Sequence, residues 1–135
     1  ILDISSGWGD RLIAAIAVAE KYAGCDPNTN LTEGYNEIME FFGADKSNFT
    51  ISPTTFQEMK LPDWRPNLVL TSPPYFNLEE YSGVKVTESL GEWLEDFLRV
   101  SLIKASNALE VGGHLVININ DSKDINFVNQ MLNFA

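Results

Sequence analysis

Apolar stretches of two kinds alternate along the chain of 135 residues. Short apolar runs of strand length are separated by longer segments in which apolar residues recur every three or four positions, which is the spacing of a helix. A run bounded by turn residues is typical of a strand. The pattern predicts strands at 1–4, 23–25, 48–52, 67–71 and 114–119, and helices at 11–22, 29–42, 90–109 and 122–134.

Strands that alternate with helices favour a mostly parallel sheet with helices on both faces. The runs 68–70 and 115–117 contain no polar alternation, as expected for strands that are covered on both sides. We therefore predict an α/β fold. Neither period is present between 77 and 88, which predicts a long loop. Such a loop at the carboxyl end of a parallel strand is either a plain surface connection or a lid or recognition element.

Composition limits the domain count and the compartment. With 44% hydrophobic residues the chain can close one core, so we expect a single domain over 1–135. The longest uncharged apolar stretch, 12–19, is far shorter than the ~20 residues that span a bilayer, and no secretory leader opens the chain. We expect a cytoplasmic protein. Because the first residue is Ile1 and not Met, we also expect the chain to be part of a longer one.

The net charge and the few cysteine and histidine residues limit which substrates and metal sites are expected. Nineteen acidic and nine basic side chains give a formal charge of −10, which repels phosphate backbones at long range. A nucleic-acid substrate would therefore need another source of affinity. The single cysteine, Cys25, and the single histidine, His114, cannot form an internal disulfide or a Cys/His zinc cluster, so we expect no metal.

Two features near the start of the chain indicate a bound nucleoside. Gly7 and Gly9 lie between a strand and a helix, where the backbone can approach a ligand closely. Asp26 ends the second predicted strand, where a carboxylate can accept hydrogen bonds from both hydroxyls of a ribose. Leu12 stands where a dinucleotide-binding turn has its third glycine, which disfavours a nicotinamide or flavin cofactor. The alternatives are a turn that only closes a βα unit and an aspartate that caps the next helix.

A second motif, Ser72-Pro73-Pro74-Tyr75, follows the strand 67–71. Two consecutive prolines remove two backbone N–H groups, so that nearby carbonyl oxygens lack local donors and can face a ligand. A serine hydroxyl beside such a carbonyl can accept the two hydrogens of an exocyclic amine, and the tyrosine ring offers a flat surface to a planar base. The alternative is a proline-rich turn whose aromatic ring packs on the core.

Together these motifs resemble the S-adenosylmethionine-dependent amino-methyltransferases, in particular the DNA methyltransferases that act on N4 of cytosine or N6 of adenine. The serine form of the motif is most often associated with N4 of cytosine. The segment 109–117, with Gly112 and Gly113 before a strand, is also similar to the family, so the resemblance covers nearly the whole chain. It implies a Rossmann-like class I methyltransferase fold that lacks its last two strands here.

The resemblance also implies S-adenosyl-L-methionine as cofactor and a role for each motif residue. Asp3, Gly7 and Gly9 would line the methionine part, Asp26 would hold the ribose hydroxyls, and the segment 52–56 would lie near the adenine. Ser72 and the carbonyl of Pro73 would bind the target amine, and Tyr75 would stack on the base. The resulting candidates are Asp3, Ser5, Gly7, Gly9, Asp26 and Thr54 for the cofactor, and Ser72, Pro73, Pro74 and Tyr75 for catalysis.

The sequence departs from the family pattern in places. Asp3-Ile4-Ser5 replaces the common Asp-Pro-Phe, and Trp8 and Asp10 replace small residues beside the second glycine. No target-recognition domain is present, so the basic surface for a DNA substrate is expected from missing segments or a partner chain. The alternatives are methylation of an RNA base or a protein glutamine, a non-catalytic methyltransferase-like subunit, and a nucleotide-binding oxidoreductase.

Overall fold

The computed structural model describes residues 1–76, 89–121 and 125–133. Its centre is one sheet of five strands in the order β3-β2-β1-β4-β5, in which every neighbouring pair is parallel. The central strand β1 pairs through Leu2 with Ala23 on one side and with Val69 on the other. The strands are β1 (Leu2–Asp3), β2 (Tyr22–Cys25), β3 (Phe49–Ser52), β4 (Leu68–Thr71) and β5 (His114–Ile117).

Helices connect β1 to β2, β2 to β3 and β4 to β5, whereas the described segment 53–67 joins β3 to β4 without a helix. A 3-10 turn, Thr29–Leu31, leads into α2, and a π-helical segment, Trp93–Arg99, joins α3 to α4. The helices are α1 (Asp10–Val18), α2 (Thr32–Phe41), α3 (Leu90–Glu92), α4 (Val100–Ala108) and α5 (Phe127–Leu132). None of the helices in the described part of the chain is long and apolar enough to cross a bilayer.

The apolar core lies on both faces of the sheet. On one face α1 and α2 bury Leu12 and Met39 against Tyr22 of β2. On the other face Val69 of β4 packs in a cluster with Ala105 of α4. A third cluster joins the π-helical segment and α5 to the end of β5. The predicted α/β fold with helices on both faces is therefore confirmed.

Most predicted elements are present, and their ends differ by a few residues. Tyr22, which was expected to end the first helix, belongs to β2, because α1 already ends at Val18. The last helix begins at Phe127 and not at 122, since Asn126 caps it by accepting a hydrogen bond from Asn129 N at 3.0 Å. Asp121 also lies at this helix start, where its side chain accepts a hydrogen bond from Val128 N at 2.9 Å.

The expectation that β5 is covered on both sides is wrong for the part of the chain described. Leu115 and Ile117 pack against the third cluster, but His114 and Val116, on the opposite face, are exposed. The physical reason is that β5 lies at the edge of the five-strand sheet, beyond the reach of α1 and α2. The predicted loop 77–88 lies outside the described residues.

Candidate functional site

A cleft of about 200 Å³ opens at the carboxyl edge of the sheet, where β1 and β4 lie side by side. The chain leaves β1 toward β2 on one side, whereas β4 leads to β5 on the other. In parallel α/β sheets, loops diverge at such a reversal of strand order and leave a crevice for a ligand. The cleft therefore lies between the turn that follows β1 and the motif that follows β4.

A hydroxyl in the turn that follows β1 binds the Ser72–Tyr75 motif that follows β4. Ser5 Oγ donates to the carbonyl oxygen of Ser72 at 2.7 Å and lies 2.9 Å from Thr71 Oγ1. Thr71 is fully buried, whereas Ser5 is half-buried at the cleft. The end of β4 is thereby tied to the end of β1.

The proline motif is held at its other end by Tyr75. Its phenolic oxygen accepts a hydrogen bond from the backbone N–H of Asn120 at 2.8 Å, and its ring meets the edge of Phe127 with centroids 5.6 Å apart. Pro73 is buried, and Ser72 and Tyr75 are half-buried at the cleft. The Ser72 hydroxyl makes no hydrogen bond with another residue that the structure describes. The motif therefore forms a corner whose hydroxyl has no partner within the described ranges.

The glycine turn, residues 5–9 after β1, has a backbone conformation that favours glycine. Gly7 and Gly9 have φ values of 54° and 93°, in the left-handed region that other residues rarely adopt. The Gly7 carbonyl accepts from Tyr35 Oη at 2.5 Å, and burial raises the pKa of that phenol. A side chain at Gly7 would meet open space, whereas one at Gly9 would meet Ile38 at 2.9 Å.

The Asp26 carboxylate joins β2 to the glycine turn. Its Oδ2 accepts from the Gly7 N–H and its Oδ1 from the Asn28 N–H, both at 2.9 Å. The residue lines the cleft although only 4% of it is exposed. It does not cap the following helix, because Asn28 performs that function for the 3-10 turn. A carboxylate offers about four acceptor positions on its two oxygens.

Asp3 and Arg11 form a partly buried ion pair under the turn. Arg11 Nε donates to Asp3 Oδ2 at 2.7 Å, and a terminal nitrogen of Arg11 donates to the carbonyl of Ser5. Burial opposes the charge of Arg11, but Asp3 outweighs it and raises the pKa of the guanidinium. Tyr22 Oη also donates to Asp3 Oδ2, at 2.9 Å, and burial followed by the Asp3 charge raises the pKa of that phenol.

The structure brings most of the predicted site residues together. Three of the ten do not line the cleft: Asp3 is fully buried behind Arg11, Gly9 is buried against α2, and Thr54 donates to the Glu58 carboxylate at 3.0 Å. The predicted residues that line it are Ser5, Gly7, Asp26, Ser72, Pro73, Pro74 and Tyr75.

The sequence did not lead us to predict Arg11 as part of this cleft, and Trp8 was named only as a departure from the family pattern. Arg11 lines the cleft, and Trp8 stands at it with 81% of its surface exposed. A signal for Arg11 was available, since it is the first basic residue of the chain and follows the glycine turn directly. Its pairing with Asp3 was not visible, because the two residues belong to different elements.

A larger hollow of about 430 Å³ lies elsewhere, over α4. Its lining is mostly apolar, and its one titratable residue, Lys104, donates to the carbonyls of Phe56, Gln57 and Met59. An ammonium group has three N–H donors, so these three hydrogen bonds leave none to bind a substrate. The smaller cleft, with its carboxylate, hydroxyl and guanidinium groups, is therefore the candidate active site.

Sequence comparison finds no matching protein-family model and no matching curated protein. Structural comparison finds solved methyltransferases. A protein named as an rRNA methylase, from Clostridium thermocellum, superposes with a TM-score of 0.74 and 19% identity over 98% of this chain. A Streptococcus mutans protein named as a methyltransferase, in complex with S-adenosylhomocysteine, gives 0.66 and 19% over 98%. The glycopeptide N-methyltransferase MtfA gives 0.61 and 14% over 90%.

The likeness establishes the fold. The chain has the Rossmann-like class I methyltransferase fold, as its strand order and flanking helices also indicate. It spans 70%, 69% and 47% of the lengths of those three proteins, respectively, so each of them has further segments.

Proposed function

We propose that this chain is the catalytic core of an S-adenosylmethionine-dependent methyltransferase that methylates an exocyclic amine of a DNA base, with N4 of cytosine favoured over N6 of adenine. The observation that carries the proposal is the hydrogen bond from Ser5 Oγ to the Ser72 carbonyl at 2.7 Å. It brings a nucleoside-type glycine turn and an amine-binding motif onto one cleft. A methyl donor and an amine acceptor need this juxtaposition for direct transfer.

The residues of the cleft fit the cofactor by their donor and acceptor types. Asp26 would accept hydrogen bonds from the ribose hydroxyls, in addition to those from Gly7 and Asn28. Gly7 leaves open space where any side chain would intrude on a ligand. When bound, the cofactor supplies a methyl group on a sulfonium, which is a good leaving group. The segment 52–56 would lie near the adenine, with the Thr54 side chain outside the cleft and bonded to Glu58.

The corner formed by Ser72 and Pro73 would hold the target amine. The Ser72 carbonyl already accepts from Ser5, so the Ser72 hydroxyl and the Pro73 carbonyl would accept the two N–H groups. These bonds orient the nitrogen lone pair toward the methyl group and strengthen as the nitrogen becomes sp³. That stabilisation is specific to the transition state and so raises the rate. The Tyr75 ring, held by Asn120 and Phe127, would stack on the base.

RNA is the second candidate substrate. The protein from Clostridium thermocellum and a second neighbour, from Streptococcus thermophilus, are both named as rRNA methylases. An RNA loop presents unstacked bases, whereas a base in a DNA duplex must be flipped out at a cost of a few kcal/mol. A protein glutamine amide and a role as a non-catalytic subunit are the remaining alternatives.

The charge of the chain bears on the substrate. At a formal charge of −10, the chain of 135 residues offers little attraction to a phosphate backbone. The segment from 77 to 99, which follows the motif, contains Glu79, Glu80, Glu88, Glu92, Glu95 and Asp96, against Lys85 and Arg99. The proposal therefore includes a basic surface supplied by further segments or by a partner chain.

The test is methyl transfer from S-adenosylmethionine that carries a labelled methyl group. The protein is incubated separately with single-stranded DNA, duplex DNA, RNA and a protein mixture, and labelled nucleic acid is digested to nucleosides for mass spectrometry. N4-methylcytosine from DNA supports the full proposal, and N6-methyladenine supports it with the other base. Label in RNA or protein alone would replace DNA as the substrate. No label in any substrate would remove the proposed activity.

A matched pair of serine variants assigns the activity to the cleft. Ser72→Ala should lower the rate about 10- to 100-fold, because one hydrogen bond to the amine is lost in the transition state. Ser106→Ala is the control, since Ser106 is an exposed residue of α4. Equal rates for the two variants would show that the motif does not bind the amine. Binding of S-adenosylhomocysteine to Ser72→Ala verifies that this variant is folded.

A further inference from the structure

Arg11 is the only basic residue among the described residues that line the cleft. Two carboxylates, Asp10 and Asp26, line it as well. The Arg11 side chain is 25% exposed, so part of the guanidinium reaches the cleft while the rest is buried. A buried cation that faces a ligand site is costly unless an anion pairs with it. Asp3 is that anion on the inner side.

The buried side of Arg11 is held by a complete set of contacts. Asp3 accepts from Arg11 Nε, from Tyr22 Oη and from the backbone N–H of Ser5. A second nitrogen of Arg11 donates to the Ser5 carbonyl. A guanidinium has five N–H donors in a fixed plane, and Nη1 makes no hydrogen bond with any residue in the described ranges. The guanidinium therefore keeps a donor edge whose orientation is fixed in advance.

The contacts also place this donor edge along the cleft. Arg11 contacts the backbone of Ser5, and the Ser5 side chain contacts Ser72, the first residue of the amine-binding motif. Ser5 thus connects the guanidinium to Ser72 at the corner where methyl transfer is proposed. The Asp26 carboxylate, which is proposed to bind the ribose, contacts the turn further along, at Gly7.

We propose that Arg11 binds the α-carboxylate of the methionine part of S-adenosylmethionine, and that Asp3 positions it for this contact. The inference rests on the proposed function, because it needs this cofactor in the cleft. A carboxylate matches the planar donor edge of a guanidinium and can be bound through two parallel hydrogen bonds. The same carboxylate would be repelled by Asp10 and Asp26, so the cleft needs a cation to accept it. Arg11, which lies outside the Gly7–Gly9 motif, would thus bind the carboxylate end of the cofactor.

The experiment measures the affinity for three ligands by calorimetry: S-adenosylmethionine, its decarboxylated form, and methylthioadenosine, which lacks the amino-acid tail. They are titrated into the natural protein, Arg11→Gln, Arg11→Lys and the control Arg99→Gln. Arg99 is an exposed residue of the π-helical segment that pairs with Glu95. The natural protein and the control should bind S-adenosylmethionine about 10- to 100-fold more tightly than the decarboxylated form. Arg11→Gln should lose most of this preference and keep its affinity for methylthioadenosine.

The other outcomes separate the two proposals. If Arg11→Gln keeps the full preference, Arg11 does not bind the carboxylate, whereas the proposed function stands. The same holds if Arg11→Gln binds all three ligands equally less well, since its role is then structural. If Arg11→Gln does not fold, Arg11→Lys decides: it keeps a cation beside Asp3 but lacks the fork, so a reduced preference supports the proposal and an undiminished one overturns it. If no ligand binds the natural protein, the proposed function fails first, and this inference fails with it.

Discussion

The Ser5 hydroxyl donates a hydrogen bond to the carbonyl of Ser72 and thereby joins two turns that are 67 residues apart in sequence. Because a serine hydroxyl has one proton, the contact between Ser5 and Thr71 at 2.9 Å must have the Thr71 hydroxyl as its donor. The three groups form a directed chain from Thr71 to Ser5 to Ser72. This chain sets the position of the amine-binding corner relative to the cofactor turn.

Removal of this link should impair transfer more than cofactor binding. Ser5→Ala is expected to lower methyl transfer about fivefold or more and the free energy of unfolding by about 1–3 kcal/mol, because the two partly buried hydrogen bonds of the Ser5 hydroxyl are lost. Its affinity for S-adenosylhomocysteine should fall less than its rate. Kinetics and calorimetry on Ser5→Ala and Ser106→Ala make the comparison. A rate equal to that of Ser106→Ala would show that the link does not position the motif.

Replacement by alanine should lower the free energy of unfolding at one glycine and raise it at another. At Gly24 of β2, a Cβ would lie 2.3 Å from Ser6 Oγ and 2.9 Å from the Tyr22 ring, so Gly24→Ala should lose about 1–3 kcal/mol of stability by overpacking. At Gly34 of α2 nothing lies within 4 Å, and alanine should add about 0.5–1 kcal/mol by its helix propensity. Urea unfolding measures both. Gly24→Ala/Ser6→Ala should recover part of the loss, and stability unchanged by Gly24→Ala would contradict the packing described here.

The ammonium group of Lys104 should stabilise the turn after β3. It donates to the carbonyls of Phe56, Gln57 and Met59 at 2.6, 3.1 and 2.7 Å. Lys104→Met keeps an apolar stem but leaves these acceptors without the charged donor, so a loss of about 1–3 kcal/mol is expected. Thermal unfolding is compared with that of Lys60→Met, in which the replaced lysine is exposed. Similar melting temperatures for the two variants would refute this role.

Stability above pH 10 should depend on Tyr22. Burial, followed by the Asp3 charge, raises the pKa of Tyr22 well above its ordinary value of 10.0. Above that pH the unfolded chain releases the phenolic proton while the folded chain retains it, so stability falls as the pH rises. Tyr22→Phe should be less stable than the natural protein at neutral pH, because the bond to Asp3 is lost, but its stability should fall less steeply above pH 10. Urea unfolding at several pH values tests this, and parallel curves for the two proteins would exclude the coupling.

The fold class and most of the candidate site could be predicted from local patterns along the chain. Alternation of strand-length runs with helical spacing is a local property, and so is the left-handed turn that Gly7 and Gly9 permit. The proline motif is also local, since Pro73 and Pro74 restrict the backbone wherever they stand. Parallel strands of one sheet end at the same edge, which is why the residues after β1, β2 and β4 were expected together.

Which of these residues face the cleft, and which groups hold them there, could not be predicted in this way. The ion pair of Arg11 with Asp3, the bond from Gly7 to Asp26 and the position of Thr54 outside the cleft depend on contacts between separate segments. The exposed face of β5 depends on its place at the edge of the sheet. Such features follow from the distance and orientation of groups far apart in the chain. A pattern along the chain specifies neighbours in sequence, whereas these hydrogen bonds are fixed by the packing of α1, β2 and β4 around β1.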